Sequence, residues 1–259
     1  MEIVNRNDIL YIRASLPCYD ALFLTRKGGK SQPPYDELNI SYTCGDDGVT
    51  VRENFEKVLS TFSVDEKSLV RINQVHGDDV LIINRGAQKK ENYGDYDAVV
   101  TNDPELCLSI LTADCVPIFL SDKTKGVFAA VHAGWRGTAK GIVRKVIEIM
   151  VRDFSCEVKS ISAAIGPAIC EDCYEVKEDV LKKLLVSVDK DDIGLFKESQ
   201  GRIYVDMKRI NLIQLGDSGI ARGMISCSEQ CTFCSDDLFF SFRRENVTGR
   251  QLSLIRRSV

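Results

Sequence analysis

The sequence predicts a mixed α/β fold of the α+β kind: a single-domain, layered sandwich of mixed β-sheet flanked by helices, spanning residues 1–259. Three observations predict it. Short apolar runs separated by turn residues crowd the middle of the chain. Helix-spaced amphipathic stretches are interspersed among and after them. No repeat, low-complexity tract or Pro/Gly/Ser linker divides the 259 residues, which suffice to bury a substantial core.

In chain order, residues 25–39 (TRKGGKSQPPYDELN) read as the longest loop, and long loops in compact domains often carry function. Residues 50–62 (TVRENFEKVLSTF) read as a helix, because Val51, Phe55, Val58 and Leu59 fall on one face. The runs SLVRI, DDVLII, YDAVVT, LCLSIL, VPIFLS and GVFAAV read as strands. Residues 138–154 (TAKGIVRKVIEIMVRDF) read as one helix, with Ile142, Val146, Ile149 and Met150 at helical spacing. SISAAIG is a further strand ahead of Pro167. The C-terminal part adds helices near 175–185 and 206–215 and short strands at 223–226, 238–242 and 251–255.

Hydrophobic residues are 44% and charged residues 28% of the chain, the balance of an ordinary folded protein. A net charge of −4 supplies no general attraction to phosphate backbones or anionic lipid, so neither nucleic acid nor membrane is an expected partner. The N-terminus lacks the layout of a signal peptide, and no apolar run is long enough to cross a bilayer, so a cytoplasmic location is expected. Ten cysteines without an export signal read by default as reduced thiols, most of them small buried residues.

The chain has only two histidines, His76 in NQVHGDDV and His132 in VHAGWRG, and each sits within two residues of a glycine at a strand end. Cys115 follows Asp114 at the start of the apolar run VPIFL. Two imidazoles and a thiolate on separate strand ends are a donor set for zinc with its fourth position open, the arrangement of a catalytic site. Spacing alone favours two satisfied core or turn histidines and an ordinary buried thiol, because no short-range ligand motif links the three; the scarcity of histidine and its placement near glycines narrow the gap. A third reading needs no metal: Cys115 and His132 as nucleophile and base, with Asp114 or a carbonyl orienting the ring.

The segments NQVHGDDV, TADCVPIFL, VHAGWRGTAKGIV, IGPAIC with CYEV, and CTFCSDDLFFSFRRENVTGRQ together resemble the laccase-domain family, formerly called multicopper polyphenol oxidases. The early TRKGGKSQPPYDELNISYTCGDD matches as well, so the resemblance runs from about Thr25 to Gln251. It implies a zinc-dependent purine nucleoside phosphorylase with adenosine deaminase activity. It also implies adenosine, inosine, guanosine and methylthioadenosine as substrates and phosphate as co-substrate. The family's ligand positions fall on His76, Cys115 and His132, with zinc favoured over copper. A monomer or small homo-oligomer is expected.

Phosphorolysis needs an anion site, for which arginines and free backbone amides are the natural ligands. The candidates are Arg26 and Ser31 in the 25–39 loop, read as a lid or pocket wall with Gly28 and Gly29, together with Arg71, Arg136 and Arg244. Arg243 and Arg250 lie beside Arg244 in the FSFRRENVTGR turn. Thr138 is expected to cap the helix after WRG. Asp114 is a candidate proton shuttle or a structural hydrogen bonder. Trp135 reads as packing that shapes the turn holding His132, with Gly134 and Gly137 supplying unusual backbone angles.

Cys170-x2-Cys173 and Cys227-x3-Cys231-x2-Cys234 resemble a thiolate zinc or iron–sulfur pattern, but the knuckles are unequal and far apart. They read mainly as buried thiols, with a second structural metal as the alternative. Other functions compatible with the chain are a hydrolase editing peptidoglycan precursors through the same pocket, and a non-catalytic metal-binding protein. A copper-dependent polyphenol oxidase is opposed by the histidine count, because multicopper chemistry needs about ten imidazole ligands.

Overall fold

The computed structural model describes residues 1–90, 93–188 and 194–258. Three strands open the chain, β1 (Glu2–Arg6), β2 (Ile9–Leu16) and β3 (Tyr19–Leu24), followed by the irregular 25–39 segment and helix α1 (Gly48–Phe62). Asp47 caps α1 by accepting from the Thr50 N–H, and Ser63 closes it in the left-handed conformation. The six apolar runs become β4 (Leu69–Val70), β5 (Val80–Ile83), β6 (Ala98–Thr101), β7 (Cys107–Thr112), β8 (Val116–Asp122) and β9 (Val127–Ala133). Next come α2 (Trp135–Ala139), α3 (Ile142–Phe154), β10 (Ile161–Ile165), β11 (Glu175–Val176), α4 (Glu178–Leu185), β12 (Phe196–Ser199) and β13 (Arg202–Val205). The chain closes with α5 (Met207–Asp217), β14 (Ile225–Cys227), α6 (Phe242–Glu245) and β15 (Gln251–Arg257).

Two six-stranded mixed sheets carry the fold, in the orders β1-β2-β3-β15-β7-β4 and β14-β10-β8-β9-β6-β5. A small antiparallel sheet β11-β13-β12 stands apart. Strand alternation explains the layering. In β8 and β9, Val116, Ile118, Leu120, Val127, Ala129 and Val131 pack with α3 and α5. Their alternates Phe119, Phe128 and Ala130 meet Phe23, Leu108, Ile110 and Ile255 of the first sheet. The first sheet's other face, with Leu22, Leu24, Leu252 and Leu254, receives Phe55, Val58 and Phe62 of α1. The result is a helix–sheet–sheet–helix sandwich. Strands buried on both faces need unbroken apolar runs, which is why VPIFLS and GVFAAV lack polar alternation.

Three element boundaries differ from the sequence reading. The 138–154 helix is two helices, broken where Gly141 takes φ 72°. The first part of 175–185 is strand β11, paired with β13, before α4 begins. Residues 238–242 form no strand: Phe239 and Phe240 are fully buried, but their N–H groups go to the Ser235 carbonyl and the Gln251 side chain. Two adjacent core aromatics mimic a strand in sequence while lacking a neighbour to form a ladder with. Among the described residues, no helix is long and apolar enough to cross a membrane.

Candidate metal centre and its pocket

β8 and β9 pair so that Pro117 lies opposite His132, which brings Cys115, two residues earlier, to the same end of the second sheet. His76 reaches that end from the turn between β4 and β5, where its own backbone is left-handed, φ 59°. The imidazole nitrogens and the Cys115 sulfur lie within 4.8 Å of one another. The rings of His76 and His132 meet edge to face, centroids 4.9 Å apart. Zinc with bonds of about 2.0–2.3 Å would set tetrahedral ligand edges of about 3.3–3.6 Å, so modest side-chain closure suffices. The structure therefore brings together the three residues chosen from sequence.

Sequence reasoning missed the group that organises them. Asp97 is fully buried immediately before β6. One carboxylate oxygen accepts from His132 Nδ1 at 2.7 Å and from the His76 N–H at 3.0 Å. The other accepts from the N–H groups of Gly77 and Val75. The pairing of Ala98 with Val131 places Asp97 beside His132, whose N–H donates to the Asp97 carbonyl. Burial raises the Asp97 carboxyl, but His132 and the turn amides outweigh this and hold it below the usual range. The ring is thereby fixed with Nε2 toward Cys115. Burial also pushes the Cys115 thiol up, yet the charge and hydrogen bonds of His132 and His76 bring it down to about 6. Burial lowers His132, but the Cys115 thiolate and Asp97 raise it to about 9. The sulfur is thus poised as the thiolate that a metal ligand must be.

Gly134 has an ordinary backbone conformation, φ −72° and ψ 165°. Its need is space: a Cβ there would lie 3.0 Å from His76 Cδ2 and 3.4 Å from Cys115 Sγ. A Cβ on Gly137 would lie 2.6 Å from the Gly77 carbonyl. The glycines of HAGWRG thus admit close approach, where the sequence had suggested unusual angles.

The three donors open on a cavity of about 740 Å³ at the mouth between the two large sheets. Its apolar wall includes Phe55, Leu111, Trp135, Tyr174 and Phe242, and its cationic groups are Arg71, Arg136, Arg243 and Arg250. The guanidinium of Arg71 lies over Phe55 at 4.9 Å and that of Arg136 over Trp135 at 4.4 Å. Arg243 lies over Tyr174 at 5.0 Å and donates to the Glu175 carbonyl. Burial and the Cys115 charge push the Tyr174 hydroxyl up to about 12, so it remains a neutral donor. Gln74 pins the pocket floor by a two-way amide pairing with the backbone of Leu111.

Four sequence candidates lie elsewhere. Arg26 is buried, with its guanidinium bound by the Asp36 and Asp236 carbonyls and by the Asp36 and Glu245 carboxylates. Ser31 is bound by Asp46 and Asn54. The 25–39 segment is consequently packed scaffold, and a Cβ at Gly28 would strike the Asp8 carbonyl at 2.1 Å. Arg244 spends its guanidinium on the carbonyls of Thr232, Phe233 and Phe239 and on Glu245, whereas its neighbour Arg243 faces the pocket. Thr138 caps nothing: it is buried within α2, whose N-cap is Gly134, and contacts Asn211. Asp114, at φ 98°, lines the cavity, but its two oxygens accept from the Thr232 hydroxyl and the Arg243 N–H. As placed, it positions the pocket wall, and the carboxylate orienting His132 is Asp97.

Residues 20–258 match the family model described as multi-copper polyphenol oxidoreductase laccase. A protein named purine nucleoside phosphorylase from Bacteroides thetaiotaomicron is 35% identical over 237 residues, 88% of each chain. Purine nucleoside phosphorylase YlmD of Bacillus subtilis is 32% identical over 240 residues, 90% of this chain and 86% of its own. The crystal structure of Bacillus licheniformis YfiH superposes with a TM-score of 0.91 at 31% identity, covering 97% of both chains. That of YlmD from Geobacillus stearothermophilus gives 0.90 at 32% identity with the same coverage.

Proposed function

Because this chain belongs to the multi-copper polyphenol oxidoreductase laccase family, and its relatives carry the name purine nucleoside phosphorylase, we propose that it is a purine nucleoside phosphorylase. Its substrates are adenosine, inosine, guanosine and methylthioadenosine, with adenosine deamination as a second activity in the same pocket. The observation that carries this reading is the pocket's composition. In a chain of net charge −4, four arginines and aromatic faces surround a Cys/His centre, and the lining's one carboxylate, Asp114, is already engaged by two donors. That combination suits an anion held against a flat aromatic base.

His76, Cys115 and His132, all lining the cavity, are a nitrogen and sulfur donor set that fits zinc and would hold it there. Zinc held there supplies Lewis-acid polarisation. The chain's own residues supply the rest. The guanidinium groups of Arg71 and Arg136 make no hydrogen bond to described residues, so they are available to phosphate, with Arg243 and Arg250 beside them. In phosphorolysis a phosphate oxygen bonds to the ribose C1′, the bond from C1′ to the purine nitrogen breaks, and the departing base gains a proton. Holding phosphate and nucleoside together removes much of the entropic part of that barrier. Trp135, Tyr174 and Phe242 provide faces for the purine.

A second reading rests on the line Cys115–His132–Asp97, the geometry of a nucleophile, base and orienting carboxylate, and would make the protein a hydrolase. One experiment separates them: zinc-loaded protein is incubated with adenosine, inosine, guanosine or methylthioadenosine, with and without phosphate, and the products are identified by chromatography and mass. Free base and ribose-1-phosphate forming only with phosphate support the phosphorylase, and inosine from adenosine supports deamination. Absence of phosphate-dependent base release from all four nucleosides would refute it.

A further inference from the structure

The described residues contain a second group of metal-binding side chains that shares no member with the pocket: Cys170, Cys173, Cys231 and Cys234, whose sulfurs all lie within 4.8 Å of one another. We infer that these four cysteines form a closed tetrathiolate zinc site that staples the two loops of the pocket wall.

The sulfur spacing decides among the thiol chemistries. Cys170 Sγ and Cys173 Sγ are 3.6 Å apart, and Cys173 Sγ and Cys234 Sγ are 3.3 Å apart. A disulfide would require about 2.05 Å. A ZnS4 tetrahedron with arms of about 2.3 Å has edges of about 3.8 Å, so the pairs at 3.6 and 3.3 Å lie within about half an ångström of it, and no pair exceeds 4.8 Å. An iron–sulfur cluster interposes several iron atoms and would hold at least some of its thiolates further apart than a single ion does. Between single ions, affinity at such a site rises from Fe²⁺ to Zn²⁺.

The backbone is built accordingly. Cys170-x2-Cys173 is a tight turn in which the N–H groups of Cys173 and Tyr174 return to the Cys170 carbonyl. In the matching knuckle Cys231-x2-Cys234, the Ser235 N–H returns to the Cys231 carbonyl. The two knuckles, some sixty residues apart in sequence, meet through an isolated bridge between Ala168 and Cys231. The Cys170 N–H donates to Cys231 Sγ at 3.2 Å, a bond that favours a thiolate. Cys227, the fifth cysteine of the pattern, lies outside the group, which resolves the unequal spacing seen in sequence. Cys231 is buried, Cys170 and Cys173 are half-buried and Cys234 is exposed, so the group runs from the core edge to the surface.

Its position ties it to the pocket without entering it. Cys173 precedes Tyr174, the ring beneath Arg243. Cys231 precedes Thr232, whose hydroxyl holds Asp114 next to Cys115. An ion clamping both knuckles therefore fixes one wall of the cavity, whatever reaction the cavity performs.

The test is zinc stoichiometry by plasma mass spectrometry on the full chain. Wild type is expected to hold two zinc ions, Cys115→Ser one, and Cys170→Ser/Cys231→Ser one. Cys234→His is expected to keep both, since three cysteines and a histidine also bind zinc, while Cys234→Ser loses one. Should the double variant fail to fold, cobalt(II) titration of wild type reads the same point, through a tetrathiolate charge-transfer spectrum added to that of the pocket site. The inference is overturned by a single zinc in wild type that only Cys115→Ser removes, by a Cys173–Cys234 disulfide in peptide mapping, or by iron in place of zinc. None of these readouts depends on phosphorylase activity, so either reading can fail alone.

Discussion

Replacing Asp97 with Asn should weaken metal binding and stability together, and the structure gives the size of each effect. The carboxylate accepts four hydrogen bonds, two at each oxygen. An amide of the same shape retains one accepting oxygen. In one orientation its NH2 meets the N–H groups of Gly77 and Val75; flipped, it meets His132 Nδ1 and the His76 N–H. Either way two donors lose their acceptor. Each such loss costs roughly 1–3 kcal/mol when buried. The turn around Val75 is partly exposed, which favours the low end, about 2–3 kcal/mol in total. Without the carboxylate the His132 ring is no longer locked, and loss of such an orienting partner lowers metal affinity about 10–100-fold. Urea unfolding of the metal-free protein reads the first quantity, and zinc competition with a chromophoric chelator reads the second. An Asn variant whose zinc affinity stays within about twofold of wild type would refute the assignment of Asp97 as the residue that orients the centre.

Gly134→Ala should lower zinc affinity at least about 10-fold while leaving the urea midpoint of the metal-free protein close to wild type, because the backbone angles suit alanine and the three atoms nearest the added Cβ belong to the ligands. Chelator competition and urea melts of the same preparation check it, and unchanged zinc affinity would contradict the crowding seen at 3.0 Å. Glu245→Gln should flatten the acid limb of stability. Burial raises the Glu245 carboxyl, but Thr248, Arg244 and Arg26 more than offset this and hold it below its usual range. A depressed carboxyl contributes stability that is present above the unfolded pKa and lost as pH falls through the folded one. The gap between wild type and variant in urea melts should therefore be widest near neutrality and close below about pH 4; a gap that widens in acid would reverse the sign.

The candidate metal centre was legible in sequence because rarity did the selecting: with two histidines in the chain, each within two residues of a glycine, no other pair of imidazoles was available. The strands were legible because burial on both faces removes polar residues and leaves continuous runs. Asp97 was not, since its role comes from cross-strand register, Ala98 against Val131, which spacing along one chain does not encode. Of the four arginine candidates, Arg71 and Arg136 line the cavity, and Arg26 and Arg244 lie away from it for a similar reason. Arg243 and Arg244 are adjacent at the start of a short helix, so helix phase alone sends one to the cavity and the other to three carbonyls beneath it. Arg26 read as an anion ligand in a lid or pocket wall because composition does not reveal that its guanidinium is bound by the loop itself and by the folded body.

Register also explains why the site sits where it does. The sandwich buries both faces of each central strand, which admits small hydroxyls such as Ser109 and Ser253 but leaves charged and metal-ligating groups to the strand ends. One end of the second sheet gathers Asp97 before β6, Cys115 before β8 and His132 near the end of β9, because β6, β9 and β8 are neighbours running alternately up and down. The first sheet supplies the opposite wall at its own edge, through Leu111 and Thr112 ending β7 and Arg71 following β4. No ligand is adjacent in sequence to another, so the donor set exists only when the β6–β9–β8 ladder is in its native register. A one-residue slip of β9 would turn His132 toward α3 and bring Val131 into its place. A metal bound at this centre would therefore depend on the assembled sheet, and its binding free energy would be shared with folding of that sheet.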